Sequence, residues 1–130
     1  MIVDSSALIA ILKEEPESDR FMTTMANADV LEMSAATYLE AGIVADGNNN
    51  HILSARLDDV LETFAIAIAP VTEAQARRAR TAYSEFGKGT GHPTGLNFGD
   101  CFSYALAMEQ GQPLLFKGED FGQTDVGIAL

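Results

Sequence analysis

The chain is expected to fold as a three-layer α/β/α sandwich around a mainly parallel central sheet. Three observations lead there. Short apolar runs alternate with segments of helical periodicity along the whole length, the pattern of a parallel sheet covered on both faces. No internal repeat, low-complexity stretch or linker divides the sequence, so residues 1–130 read as one domain. A chain of 130 residues can also bury roughly two thirds of its unfolded surface, enough for a core that needs no staples.

The elements follow in order. Met1 to Asp4 is an apolar run ending in an acid, a first strand. Ser5 and Ser6 can cap the next helix, whose Leu8, Ile9 and Leu12 fall at helical spacing. Pro16 suits a first helical turn, and Phe21, Met22 and Met25 continue a second helical stripe to about Ala28. Val30 to Met33 reads as the next strand. Ser34 opens a helix to about Ala45, closed by Gly47, and the Asn48-Asn49-Asn50 run can cap a fourth helix to about Thr63. Phe64 to Val71, rich in isoleucine and alanine, reads as a buried strand. Thr72-Glu73-Ala74-Gln75 has capping-box spacing and starts a helix that carries Arg77, Arg78 and Arg80 and ends near Gly87. Five glycines and a proline between Gly87 and Gly99 imply a flexible loop. A helix from about Phe98 to Gln110 stops at Gly111, Pro113 to Phe116 is a strand, and the tail from Val126 can add an edge strand.

Composition narrows the function classes. One cysteine, Cys101, allows no intramolecular disulfide and suits a reducing, cytoplasmic setting. The amino terminus has no basic leader pattern, and no apolar run approaches the roughly 20 residues of a membrane span. A formal net charge of −11 argues against a backbone-tracking nucleic-acid binder, whose affinity comes from lysine and arginine. It does not exclude a metal centre, which inverts the sign its acids would otherwise present.

Three carboxylates stand alone in apolar stretches. Asp4 is the only charged residue from Met1 to Leu12, Glu40 from Met33 to Ala45, and Asp100 from Gly89 to Met108. An ionised carboxylate buried without a partner costs several kcal/mol even after relaxation. Any one of them alone could be a cap or a half-exposed helix residue. Several acids converging without matching bases, however, suit a hard divalent cation such as Mg²⁺ or Mn²⁺. Ligands of open α/β sheets bind beyond the carboxyl ends of the strands. Asp4 ends the first strand and Lys117 to Asp120 follow a later one, while Glu40 and Asp100 lie on helices that can lean over the same edge.

The order Ile2-Val3-Asp4-Ser5-Ser6-Ala7-Leu8, a lone Glu40 in a helix, Gly99-Asp100-Cys101 opening another, and Leu115-Phe116-Lys117-Gly118-Glu119-Asp120-Phe121 with Thr124-Asp125-Val126 after it resembles the PIN-domain ribonucleases, and among them the VapC toxins. The resemblance spans essentially the whole chain. It implies a Mg²⁺- or Mn²⁺-dependent endoribonuclease, a homodimer that enters a higher complex with a cognate VapB-type antitoxin. It implies acidic site residues Asp4, Glu40, Asp100 and Asp120, with Asp4 and Asp100 the most regular metal ligands. Ser6 holds the place of the hydroxyl that orients the first aspartate or a water, and Asn97 is a candidate supporting donor. Glu119 and Asp125 compete with Asp120 for the fourth position. Asp120 is preferred because Phe121 completes the Asp-Phe pair of that motif. The antitoxin is expected to set an arginine or lysine against these acids, and an aromatic or leucine against Leu12 and Phe21.

The remaining candidates have plainer readings. The arginine trio is a solvated helix face as readily as an RNA track. His92 and His51 read as structural or silent, because a metal mechanism needs no histidine. Lys117 is a candidate because it follows a strand whose end faces the site. Cys101 at a helix start could have a lowered pKa, but with no partner histidine in view it reads as a buried thiol. Two rival functions use the same acids. An aspartyl-phosphate phosphoryl-transfer protein would need an acceptor at a central strand end, where Asp46, Asp58 and Asp59 do not fall, or Asp-x-Asp after the first strand, where Ser6 stands. A catalytically silent acidic interaction module would have no reason to isolate acids inside apolar segments.

Overall fold

The computed structural model describes every residue except Asn48 and Asn50. Its elements are β1 (Ile2–Val3), α1 (Ser5–Leu12), α2 (Ser18–Ala26), β2 (Glu32–Ser34), α3 (Ala35–Asp46), α4 (His51–Thr63), β3 (Ala67–Ala69), α5 (Glu73–Phe86), α6 (Asp100–Gln110) and β4 (Leu114–Leu115). The strands form one sheet of order β3-β2-β1-β4, and every pairing is parallel. Ile2 stands in register with Glu32 on one side and Leu114 on the other. Among the described residues no helix is long and apolar enough to cross a membrane.

Alternation along the strands divides the interior in two. Val3, Met33 and Leu115 pack with Leu8, Leu12, Phe21, Met25 and Leu57, under α1 to α4. Ile2 and Leu114 point the other way and pack with Phe86, Leu96, Tyr104 and Leu106, under α5 and α6. The sheet is thus sandwiched as expected. From β1 the chain runs outward to β2 and β3, then returns to β4 on the opposite side of β1. This reversal makes the carboxyl ends of β1 and β4 a topological switch point, where open sheets bind ligands.

Several local readings hold with corrected detail. Ser34 caps α3, its Oγ accepting from the Ala36 amide at 3.2 Å. Thr72 caps α5 through the Gln75 amide at 3.1 Å, but the Gln75 side chain donates across to Glu109 rather than back to the cap. Gly111, at φ +61°, ends α6 in the left-handed region where glycine costs nothing. Pro16 lies in the turn before α2, not in its first turn, and α6 starts at Asp100 rather than Phe98. Of the Asn48-Asn49-Asn50 run expected to cap α4, Asn48 and Asn50 lie outside the described residues.

Four expectations change. The cap of α1 is Asp4 itself, because its extended backbone turns the carboxylate back onto the first turn. The strand expected to be buried around residues 64–71 is the short, largely exposed edge β3, where Ile68 is 44% accessible, since helices cover the centre of the sheet and not its rim. The loop expected to be flexible between Gly87 and Gly99 is pinned. Lys88 N donates to Leu96 O at 2.7 Å, Leu96 N to Phe86 O at 2.9 Å, and Leu96 is fully buried. The tail contributes a single parallel bridge, Leu114 to Ile128, in place of a strand.

Candidate active site

Asp4 is 2% exposed and meets only hydroxyl and amide donors. Its Oδ2 accepts from the Ser6 amide at 3.0 Å and from Ser6 Oγ at 2.6 Å. Its Oδ1 accepts from Ser103 Oγ at 2.6 Å. Ser6 Oγ in turn accepts from the Lys117 amide at 3.0 Å, so one hydroxyl ties the end of β1 to the segment after β4. Because Ser103 spends its proton on Asp4, the 3.1 Å contact between Ser103 and Thr37 is a donation from Thr37. A buried chain thus runs from Thr37 on α3 through Ser103 on α6 to Asp4.

Asp100 opens α6 in a reciprocal pair with Asn97. The Asn97 amide donates to Asp100 Oδ2 at 3.0 Å, and the Asp100 amide donates to Asn97 Oδ1 at 2.9 Å. Burial first, and then the charges of Asp4, Asp120 and Glu40, push the Asp100 carboxyl up to about 7 against the pull of the Asn97 amide. The other three acids named from the sequence therefore all act on Asp100. Glu40 reaches this group from α3: Ser5 Oγ donates to its Oε1 at 2.5 Å, and its other oxygen lies where a methyl on Gly99 would stand. Asp120 is exposed at the rim above buried Phe121. Asp125 accepts from the Tyr104 hydroxyl at 2.5 Å.

Among the described residues no group of three or more His, Cys, Asp or Glu forms a ready-made ion cage. Asp4 and Glu40 are instead tied to hydroxyls. No lysine or arginine pairs with any of the four acids among the described residues. The donor set is all oxygen, negative and uncompensated, which fits a hard divalent cation.

Other candidates sort plainly. The Lys117 ammonium pairs with Glu15 and with Glu17, the latter at 3.3 Å, and these partners raise its pKa. Burial, then the Asp100 charge, pushes the Cys101 thiol up to about 11, so the helix start does not activate it. His92 accepts from the Thr94 amide through Nδ1 and stands edge-on to Phe86, a structural role. Arg77 pairs with Glu73 on the solvent face of α5. Phe21 is core, 4% exposed, and cannot take up a partner's side chain; the half-buried Met22 lines the neighbouring groove instead. Sequence reasoning missed Thr37 and Ser103. Each lies one helical turn from a candidate acid, three residues before Glu40 and three after Asp100, and that spacing was the available signal.

Residues 1–127 match the family model described as the PIN domain. The chain belongs to the PIN-domain family. Within that family it is 55% identical over 130 residues to the ribonuclease VapC28 of Mycobacterium tuberculosis, covering all of this chain and 98% of that protein. It is 48% identical over 126 residues to a ribonuclease VapC of Mycolicibacterium smegmatis, covering 97% of each. Among solved structures, the Mycobacterium tuberculosis toxin VapC20, described as cleaving the sarcin-ricin loop, aligns at TM-score 0.75 and 16% identity over 96% of this chain and 95% of that one. A chain of a toxin–antitoxin complex from Klebsiella pneumoniae aligns at TM-score 0.71 and 19% identity, over 95% and 92%. Those two likenesses carry the PIN fold.

Proposed function

We propose that residues 1–130 act as one PIN-like unit, a metal-dependent endoribonuclease that is the toxin of a type II toxin–antitoxin pair and works in the cytoplasm. The observation that carries this reading is the convergence of Asp4, Glu40 and Asp120 on Asp100 without a cationic partner among the described residues. The names of the 55% and 48% identical relatives, both ribonucleases, support RNA as the substrate. Asp4 and Asp100 would hold the ion, with Glu40 and Asp120 supporting it from beside them. When bound, Mg²⁺ or Mn²⁺ supplies a polarised water nucleophile and neutralises charge on the phosphate. Ser6 and Ser103 fix both oxygens of Asp4, Asn97 fixes Asp100, and Ser5 aims Glu40. Purified protein is expected to cut RNA with Mg²⁺ or Mn²⁺, to leave 5′-phosphate and 3′-hydroxyl ends, and to stop in excess chelator. Undiminished cleavage in chelator, or cyclic phosphate products, would overturn the metal mechanism.

The partner follows from the same charges. A groove of about 520 Å³ between α1, α2 and α4 has Ile11, Leu12, Met22 and Val60 in its lining; on its rim Arg56 pairs with Glu14, while Asp19 and Asp59 add acids with no ion pair among the described residues. It suits a basic antitoxin segment carrying a leucine or aromatic, with an arginine or lysine continuing to the four acids. Raising Mn²⁺ should weaken inhibition by a peptide copying that segment, and alanine in place of its basic residue should abolish the metal effect. Inhibition indifferent to both places the block elsewhere. A homodimer is also proposed. Leu39 and Ile43 form an exposed stripe on α3, at 62% and 63% accessibility, beside Glu40.

A further inference from the structure

We propose that the slot between α5 and α6 docks an unpaired RNA base next to the scissile phosphate, with Phe98 as the stacking platform and Arg80 contacting the adjoining phosphate. The proposal rests on the RNA-cleaving reading and adds to it a subsite outside the four acids. Phe98 is 76% exposed, more than any other large hydrophobic residue described. Its outward position is built in. Leu96 is fully buried two residues before it, and Asn97 and Asp100 lock the turn around it through their reciprocal hydrogen bonds. Phe102 meets Phe98 in a T-shaped contact, with centroids 5.0 Å apart at 88°, so the two rings do not stack on each other, and at 76% exposure Phe98 keeps most of its surface open. Beside this ring lies a slot of about 360 Å³ whose lining includes Tyr83 and Arg80.

Two arguments favour a base as the occupant. The first is continuity: Phe98 stands two residues before Asp100, in the turn that starts the helix carrying that acid, so a strand held at the acids runs close by the ring. Single-stranded RNA is held largely by stacking on aromatics, a term that tolerates any base. A chain of net charge −11 can draw little from phosphate contacts, so this uncharged term must supply more of its affinity. The second argument is Arg80. Among the described residues no ion pair engages it. A cation in the wall complements a phosphate, whereas burying it against a second copy of the chain would cost desolvation without a partner. The Leu39–Ile43 stripe on α3 is the more suitable self-association face, since it carries no such charge.

The test uses the full chain with Mn²⁺ and a short single-stranded oligoribonucleotide bearing 2-aminopurine beside the cleavage position mapped with wild type. Phe98→Ala is expected to raise KM about tenfold with kcat nearly unchanged, and Phe98→Trp to restore it. Arg80→Gln should raise KM several-fold and flatten the salt dependence by about one unit of slope. Wild type and Phe98→Trp should quench 2-aminopurine on binding, and Phe98→Ala should not. Unchanged KM in Phe98→Ala, with RNA still cleaved, overturns the subsite and leaves the nuclease reading standing. A shift of Phe98→Ala from dimer to monomer in sedimentation assigns the slot to a second copy and also overturns it. Failure of wild type to cleave any RNA removes both readings.

Discussion

Replacing Asp100 by asparagine should stabilise the metal-free protein while abolishing its activity. Unfolded, the carboxyl titrates near 3.8; folded, burial and then the neighbouring acids raise it to about 7 against the Asn97 hydrogen bond. A group whose folded pKa exceeds its unfolded one supports the fold only while protonated. The contribution of Asp100 is therefore fully present below about pH 4 and is lost as the pH rises through 7. A difference of about three pH units has a ceiling of about 4 kcal/mol. The carboxyl is only half-buried, so solvent screening reduces the working figure to about 2 kcal/mol. Asparagine keeps an oxygen to accept from the Asn97 amide and carries no charge.

In EDTA at pH 8, Asp100→Asn should thus melt about 6–10 °C above wild type. The gap should close toward zero at pH 4.5, because the wild-type side chain is by then neutral as well. Circular-dichroism melts at half-unit pH steps from 4.5 to 8.5 measure it directly. A gap that does not change with pH, or an asparagine variant that melts lower at pH 8, would refute the repulsion argument and make Asp100 a structural cap.

Two further substitutions probe the supporting hydroxyl chain and the close approach at the helix start. Ser103→Ala removes the donor to Asp4 Oδ1 and strands the Thr37 hydroxyl; it should cost about 1–3 kcal/mol and raise the Mn²⁺ needed for half-maximal cleavage at least tenfold. An unchanged Mn²⁺ demand would mean that Ser6 and the backbone alone place Asp4. Gly99→Ala should fold normally, since its φ of −64° and ψ of −39° suit alanine, yet its methyl displaces the Glu40 carboxylate and should lower kcat about tenfold. In a Glu40→Gln background the same change should add little, and full additivity would separate the two residues.

The fold was legible where the sequence carries hydrophobic alternation and cap chemistry. Ser34 and Thr72 announced helix starts because their hydroxyls sit two and three residues before the amides they satisfy. The region from Phe64 to Val71 misled because an apolar run has the same appearance at the centre of a sheet and at its rim, and only strand order tells them apart. The glycine-rich loop misled differently: Leu96, one apolar residue among glycines, anchors the turn from below. At the site, the isolated acids were visible because charge in an apolar segment is costly. Thr37 and Ser103 were not, since a buried serine or threonine is unremarkable until its partner is known.

The arrangement of those hydroxyls bears on how the protein is held in check. Asp4 is neutralised by no base; three neutral hydrogen bonds orient it and leave its charge standing. Had an arginine paired with it, the apo protein would gain stability and lose its appetite for cations. The stability forgone at Asp100 in the metal-free state is the same free energy that any cation recovers on arrival, whether a divalent ion or the guanidinium of a partner. A site built this way cannot prefer its metal without also offering itself to an inhibitor that imitates the metal. On this argument inhibition and catalysis draw on one electrostatic term. Substitutions that relieve the repulsion, Asp100→Asn first among them, should weaken metal binding and antitoxin binding together, and a variant that lost one while keeping the other unchanged would break the link.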